Sequence, residues 1–372
     1  MDAEEQNQLG SRIADARRRT GLTQAELAVT ISLDRSALAK IENGSRRVSA
    51  LELSRIADAV GERVEWFFDQ TPEAIISHRN LQDPGAVSPA IDRLIELAAR
   101  NVEFVTSRTV KAWPKSRVLD RPSSASDAED AAAEARKLIG LAPAKPALSL
   151  STEVAKLGLF TFSFDMGADA ADAASILLEE GGVAIVNGSL RVGRRRLALA
   201  HELGHYLFAD EYNIDWRISE HQNDDVWEAR LDRFGRALLL PQHGLKADLS
   251  CLKAEGSDLR TTAIKLASGY QVDMSTLARR LVELELIDQK DAGFIRSVRT
   301  TKADIIEHNL VVPQELEAPH LPDPYVKGIL TLYRNAVVSA ARATDLLFDT
   351  WSEDDLPEVP QLPESSIWKF VS

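Results

Sequence analysis

The sequence holds a single cysteine, Cys251, in 372 residues. That excludes an intrachain disulfide framework and any metal cage built from several thiolates. Long apolar runs are also missing. No stretch is long enough to span a bilayer, and the first residues lack the hydrophobic core of a signal peptide. The expected location is therefore the cytoplasm, with no membrane partner. Positive charge is in short supply: 44 Lys and Arg stand against 57 Asp and Glu, a formal net charge of −13. Broad non-specific binding to nucleic acid needs the opposite balance. A small basic face stays open, because basic residues cluster near the N-terminus. Histidine is sparse too, at seven, so two at a functional spacing carry weight.

What is present fits a soluble globular protein of two or more domains, with 44% apolar and 27% charged residues. The stretch from Leu9 to Phe68 reads as a string of short helices. Leu9, Ile13 and Ala16 fall on one helical face, and Gly21 stops that helix. Thr23 and Glu26 form a capping box opening a second helix, with Leu27 and Ile31 inward. Asp34 is placed to cap a third helix, with Leu38 and Ile41 inside and Asn43-Gly44 at its end. A fourth follows Ser49 and carries Leu51, Leu53, Ile56 and Ala57. Two short helices joined by a tight turn give a helix-turn-helix pattern.

Those residues resemble the Xre/lambda-repressor-like DNA-binding family: "LTQAELA", "RSALAKIENG" and the basic pair after them follow its pattern closely. Ser32 departs from it, standing where the turn commonly has glycine. The resemblance implies that Arg35, Ser36 and Lys40 face base edges and that Gln24, Arg46 and Arg47 contact phosphates. It further implies a double-stranded DNA operator as partner, bound by a homodimer.

Beyond this unit, the pattern divides the chain into a helix-turn-helix domain over 1–70, a helical linker over 71–126, a metal-site domain over 127–255, a winged-helix-like segment over 256–292 and a helical C-terminal region over 293–372. The last ends in an acidic, Pro-rich tail. The fold class expected is mainly α and multidomain: a five-helix N-terminal unit, an α+β domain with a small sheet, then helices. "GLFTFSF" and "GGVAIVNGSL" supply the strands.

The chemistry concentrates in "LALAHELGHYLF", from Leu197. Residues four apart share a helical face, so His201 and His205 point together while Leu199, Leu203 and Leu207 form a separate stripe. Gly204 weakens a helix interior and signals a close neighbour. A catalytic zinc needs a third protein ligand and an open position. The elongated HExxHxxGxxH version fails, since Phe208 and Glu211 occupy its glycine and last histidine positions. Glu228 is the choice for the third ligand: it lies one turn before Asp232 on a downstream helix, so Asp232 can hold a ligand histidine from behind. His221, Asp224, Asp225 and His243 compete less well, lying in expected loops or past Pro241. Glu202 is then the general base, and Tyr206 is assigned to packing.

HExxH followed by a glutamate on a later helix resembles the gluzincin peptidases. Within them, "RRRLALAHELGHYLF" and "EARLDRFGRALLLP" look like the ImmA/IrrE metallopeptidase family, as do "AEARKLIGLAP" and "VAIVN" upstream. Leu231 and Gly235 depart from that family's usual alanine and Leu240 from its usual methionine. The resemblance implies one zinc per chain and a substrate class, helix-turn-helix repressors, whose cleavage derepresses stress or mobile-element genes. It leaves a second reading: an autoregulated transcription factor, or the antitoxin partner of a toxin, whose metal domain is a scaffold with little turnover.

Overall fold

The computed structural model describes residues 3–62, 64–68, 76–79, 89–109, 118–167, 170–208 and 224–358. The chain forms two compact units, 1–73 and 74–372.

The first unit is helical: α1 (Ala3–Arg19), α2 (Gln24–Thr30), α3 (Arg35–Glu42), α4 (Ala50–Val60) and a 3-10 turn (Val64–Phe67). Leu9, Ile13 and Ala16 of α1 meet Leu27, Ile31, Leu38, Ile41, Leu53 and Ile56 in one core. The capping box of Thr23 with Glu26 is present, and a second one joins Ser49 to Glu52. Asp34 takes the cap position of α3, but its side chain makes no cap bond. Ser32 adopts φ 57°, the left-handed turn conformation that the usual glycine would take without strain. Leu51 differs from expectation: it is 74% exposed. Leu53, Ile56, Ala57 and Val60 share one helical stripe, and Leu51 falls outside it.

The second unit contains β1 (Ile76–Arg79), α5 (Pro89–Thr106), α6 (Ala125–Leu138), α7 (Leu150–Ala155), β2 (Leu159–Phe164), β3 (Ala173–Leu177), β4 (Gly182–Asn187), α8 (Val192–Leu207) and α9 (Asp224–Leu239). There follow α10 (Gln242–Ala254), α11 (Leu259–Tyr270), α12 (Met274–Glu283), α13 (Gln289–Ser297), α14 (Lys302–Glu307), α15 (Asp323–Arg334) and α16 (Ala340–Leu346). The strands form one sheet in the order β1-β3-β4-β2. β2 and β4 run parallel, with Leu159 opposite Gly182, while β3 is antiparallel to both β4 and β1.

Side chains alternate across a strand, and both faces of this sheet are covered. Leu159, Ala173, Ala184 and Val186 point to one side and share a core with α6, α8, α9, α11 and α12. Phe160, Phe162, Ala174, Ile176, Val183 and Ile185 point to the other, where α5, α15 and α16 cover them. The segment expected as a linker thus supplies α5, whose Ile91, Ile95, Ala98 and Val102 are buried in that second core. A 3.6-residue period marks a helix with one apolar face, and it does not say what that face covers. The C-terminal helices are equally integral: Tyr325 and Ile329 of α15 and Leu346 at the end of α16 are buried. Segment 256–292 is helical as expected, but without a strand, so it has no wing. The acidic tail beyond 358 lies outside the described residues.

Candidate metal centre

Helix α8 runs beneath the sheet and is buried around nearly its whole circumference from Leu197 to Leu207. Leu199, Leu203 and Leu207 are fully enclosed in the core, as their stripe requires. The histidine face is closed by α9. Gly204 makes this approach possible: a Cβ there would lie 2.8 Å from Leu231 Cδ2 and 3.2 Å from Phe234 Cδ1. Leu231 is thus the residue that rests on the glycine.

The structure brings His201, His205 and Glu228 together. Their ligand atoms all lie within 4.8 Å of one another. The two imidazole Nε2 atoms are 3.2 Å apart, and Glu228 places Oε2 3.0 Å from His201 Nε2 and Oε1 3.5 Å from His205 Nε2. Two nitrogens on one tetrahedral zinc, each about 2.0–2.1 Å from it, would be separated by about 3.3 Å. The donor types and their spacing therefore fit such an ion. Asp232 Oδ1 is 3.0 Å from His201 Nδ1. That contact suits a proton on Nδ1 and turns the Nε2 lone pair toward the other ligands. Burial alone would push the Glu228 carboxyl up, but the bond to His201 and the nearby imidazoles outweigh it, and the group sits below its ordinary value. The histidines are buried while the Glu228 side chain keeps 40% of its exposure, so the cage has an inner wall and an open side.

Glu202 is fully buried beside the cage. Ser175 Oγ on β3 donates to its Oε2 at 2.5 Å, whereas Oε1 is buried with no partner among the described residues. Sequence reasoning missed Ser175. The signal available was a hairpin: "AASIL", a Glu-Glu-Gly-Gly turn and "VAIVN" place Ser175 opposite Ala184 on the α8 side of the sheet. Tyr206 donates to the Leu157 carbonyl at 2.6 Å and is a packing residue. Among the competing ligands, His221 lies outside the described residues, Asp224 and Asp225 belong to the first turn of α9, and exposed His243 lies on α10 outside the cluster.

In the first unit, Arg35, Ser36, Lys40 and Arg47 are exposed on or just after α3. Gln24 and Arg46 are half-buried and engaged internally. The Gln24 amide donates to Glu42 Oε2 at 2.7 Å, beside the two-pronged Arg17–Glu42 pair, and Arg46 Nη2 lies 2.7 Å from Glu52 Oε1.

Residues 13–67 match the model of a helix-turn-helix family, and residues 154–282 match that of the IrrE N-terminal-like domain, an M78 peptidase family. The chain joins a helix-turn-helix domain to an IrrE-like domain. Helix α6 lies upstream of the IrrE-like match yet packs on α9 in the same core. Among solved structures, the restriction-modification controller protein C.AhdI from Aeromonas hydrophila is 31% identical, with 18% of this chain and 98% of that chain covered at a TM-score of 0.17. The apo competence regulator ComR from Streptococcus vestibularis is 14% identical over 84% of this chain and 95% of that one, also at 0.17. No curated protein matches the sequence. No helix among the described residues is long and apolar enough to cross a membrane.

Proposed function

We propose that the chain is a cytoplasmic DNA-binding regulator whose IrrE-like domain is a zinc-dependent endopeptidase acting on a repressor-type protein. The observation that carries this reading is the convergence of His201, His205 and Glu228 beside a buried glutamate with one oxygen unclaimed.

Zinc held by those three residues supplies Lewis acidity, making water acidic near neutral pH and polarising a peptide carbonyl. The protein's own part is proton handling. Glu202 Oε1 takes a proton from water and returns it to the leaving amine nitrogen. Ser175 fixes Oε2, so only one carboxylate oxygen is free to do this. Asp232 keeps His201 in the tautomer and orientation that ligation needs. The exposed edge of Glu228 is the side from which an extended peptide would enter. In the first unit, Arg35, Ser36 and Lys40 are set to read base edges of an operator, bound as a dimer across paired half-sites.

Two substitutions separate an enzyme from a metal-bearing scaffold. Glu202→Gln should keep zinc and fold but abolish both cleavage and derepression, while His205→Ala should lose the metal as well. DNA binding should survive in both. A wild-type phenotype for Glu202→Gln in a reporter strain, with only His205→Ala failing, would establish the regulator or antitoxin scaffold instead.

A further inference from the structure

Helix α9 presents Glu228, Asp232 and Arg236 on successive turns of one face, and the third of these has no part in the mechanism above. Arg236 Nη1 lies 3.7 Å from Asp232 Oδ2, while the 3.0 Å contact with His201 Nδ1 is made by Oδ1. Arg236 is 6% exposed, and its guanidinium is held by Glu283 on α12. Nε lies 3.0 and 3.2 Å from the two carboxylate oxygens, and Nη2 lies 2.8 Å from Oε1. Glu283 stands one residue past the IrrE-like match, which ends at 282. Around it, Arg280 is fully buried, bonded by both terminal nitrogens to Glu129 of α6 and 3.8 Å from Glu283.

We infer that Arg236 and Glu283 are positioning residues that set the zinc affinity of the site by holding Asp232 against His201, which makes α12 part of the metal centre's support. This inference rests on the zinc reading of the His201, His205 and Glu228 cluster. An arginine enclosed this far needs a carboxylate partner, because an unpaired buried charge is strongly disfavoured. Glu283 meets that need with two-pronged geometry and so keeps the guanidinium near Asp232 without taking it over. Asp232 can then give Oδ1 to His201 while Oδ2 is attracted and oriented. With Glu283 neutralised, Asp232 becomes the nearest compensating carboxylate. The guanidinium closes from salt-bridge to hydrogen-bond distance and draws Asp232 out of line with His201. Outer partners of ligating histidines typically change metal affinity by about 10–100-fold when removed.

The test uses full-length protein and zinc alone, titrated in competition with a chromophoric chelator, with circular dichroism to confirm folding. Glu283→Gln and Arg236→Gln are each expected to weaken zinc binding about tenfold. In an Asp232→Asn background, which is itself weakened, Glu283→Gln should add nothing further, because its effect passes through Asp232. Should Glu283→Gln fail to fold, Glu283→Asp keeps the charge but withdraws it by one methylene. It is expected to show a several-fold loss that Asp232→Asn again abolishes. Unchanged affinity in folded variants overturns the inference, and so does a loss that simply adds to that of Asp232→Asn. Wild-type protein that binds no zinc overturns the metal reading as well, and that control alone identifies the case.

Discussion

Gly204 separates two forces that usually act together. Alanine there would gain about 1 kcal/mol of helix propensity. Its methyl would also meet Leu231 and Phe234 at 2.8 and 3.2 Å, and forcing a methyl into a filled core costs about 1–3 kcal/mol. Gly204→Ala should therefore lower stability in urea unfolding and weaken zinc binding, because α9 carries Glu228. On the proposed DNA face, Arg35→Ala and Lys40→Ala should each reduce discrimination between bases by about 1–3 kcal/mol. Arg47→Ala should weaken all duplexes alike and reduce the salt slope by about 1. Gln24→Ala and Arg46→Ala should act more on folding than on binding, because Glu42 and Glu52 hold those side chains. Binding titrations on cognate and scrambled duplexes at several salt concentrations distinguish these outcomes. That His201, His205 and Glu228 come together was legible one residue at a time, since i,i+4 spacing fixes which side chains share a face. Ser175 and the internal partners of Gln24 and Arg46 were not, because tertiary contact across dozens of residues leaves no local period.

Among the elements, the helix caps provide the sharpest comparison. Thr23→Ala removes a hydroxyl that accepts from the Glu26 backbone and breaks a reciprocal pair, so about 1 kcal/mol should be lost. Asp34→Ala should cost clearly less, since Asp34 makes no cap bond although it occupies the cap position. Thermal or urea unfolding of the two variants decides this, and equal losses would count against the geometry. The helices of the first unit were readable in sequence because caps, glycine stops and periodic leucines agree. β2 and β4 were readable from their apolar runs. β3 was harder to see: Ala173, Ala174 and Ser175 are not strand-favouring residues, and their pairing with β4 holds them in place. α5, α15 and α16 were visible as helices but not as the cover of a sheet face, because Phe160 and Phe162 show only that something apolar must lie over them.

At the scale of the whole molecule, two compact units predict two separable transitions. On the zinc reading proposed above, a chelator should lower only the second. Zinc at 100 times its dissociation constant stabilises the state that binds it by about 2.7 kcal/mol. Differential scanning with and without chelator, alongside fragment 1–73, is the direct check; movement of both transitions together would contradict the division. The second unit also has a property set by chain order. Its sheet is sealed on one side by α5, early in sequence, and by α15 and α16, which end at Arg334 and Leu346. On a ribosome adding about 5–20 residues per second, the residues from the end of α5 to the end of α16 take on the order of tens of seconds to emerge. During that interval the first unit is complete, while the strand that presents Ser175 to Glu202 still lacks its far cover. On the function proposed above, a nascent or prematurely terminated chain would have its operator-reading unit finished before its cutting site, so translation itself would impose the order of the two proposed activities.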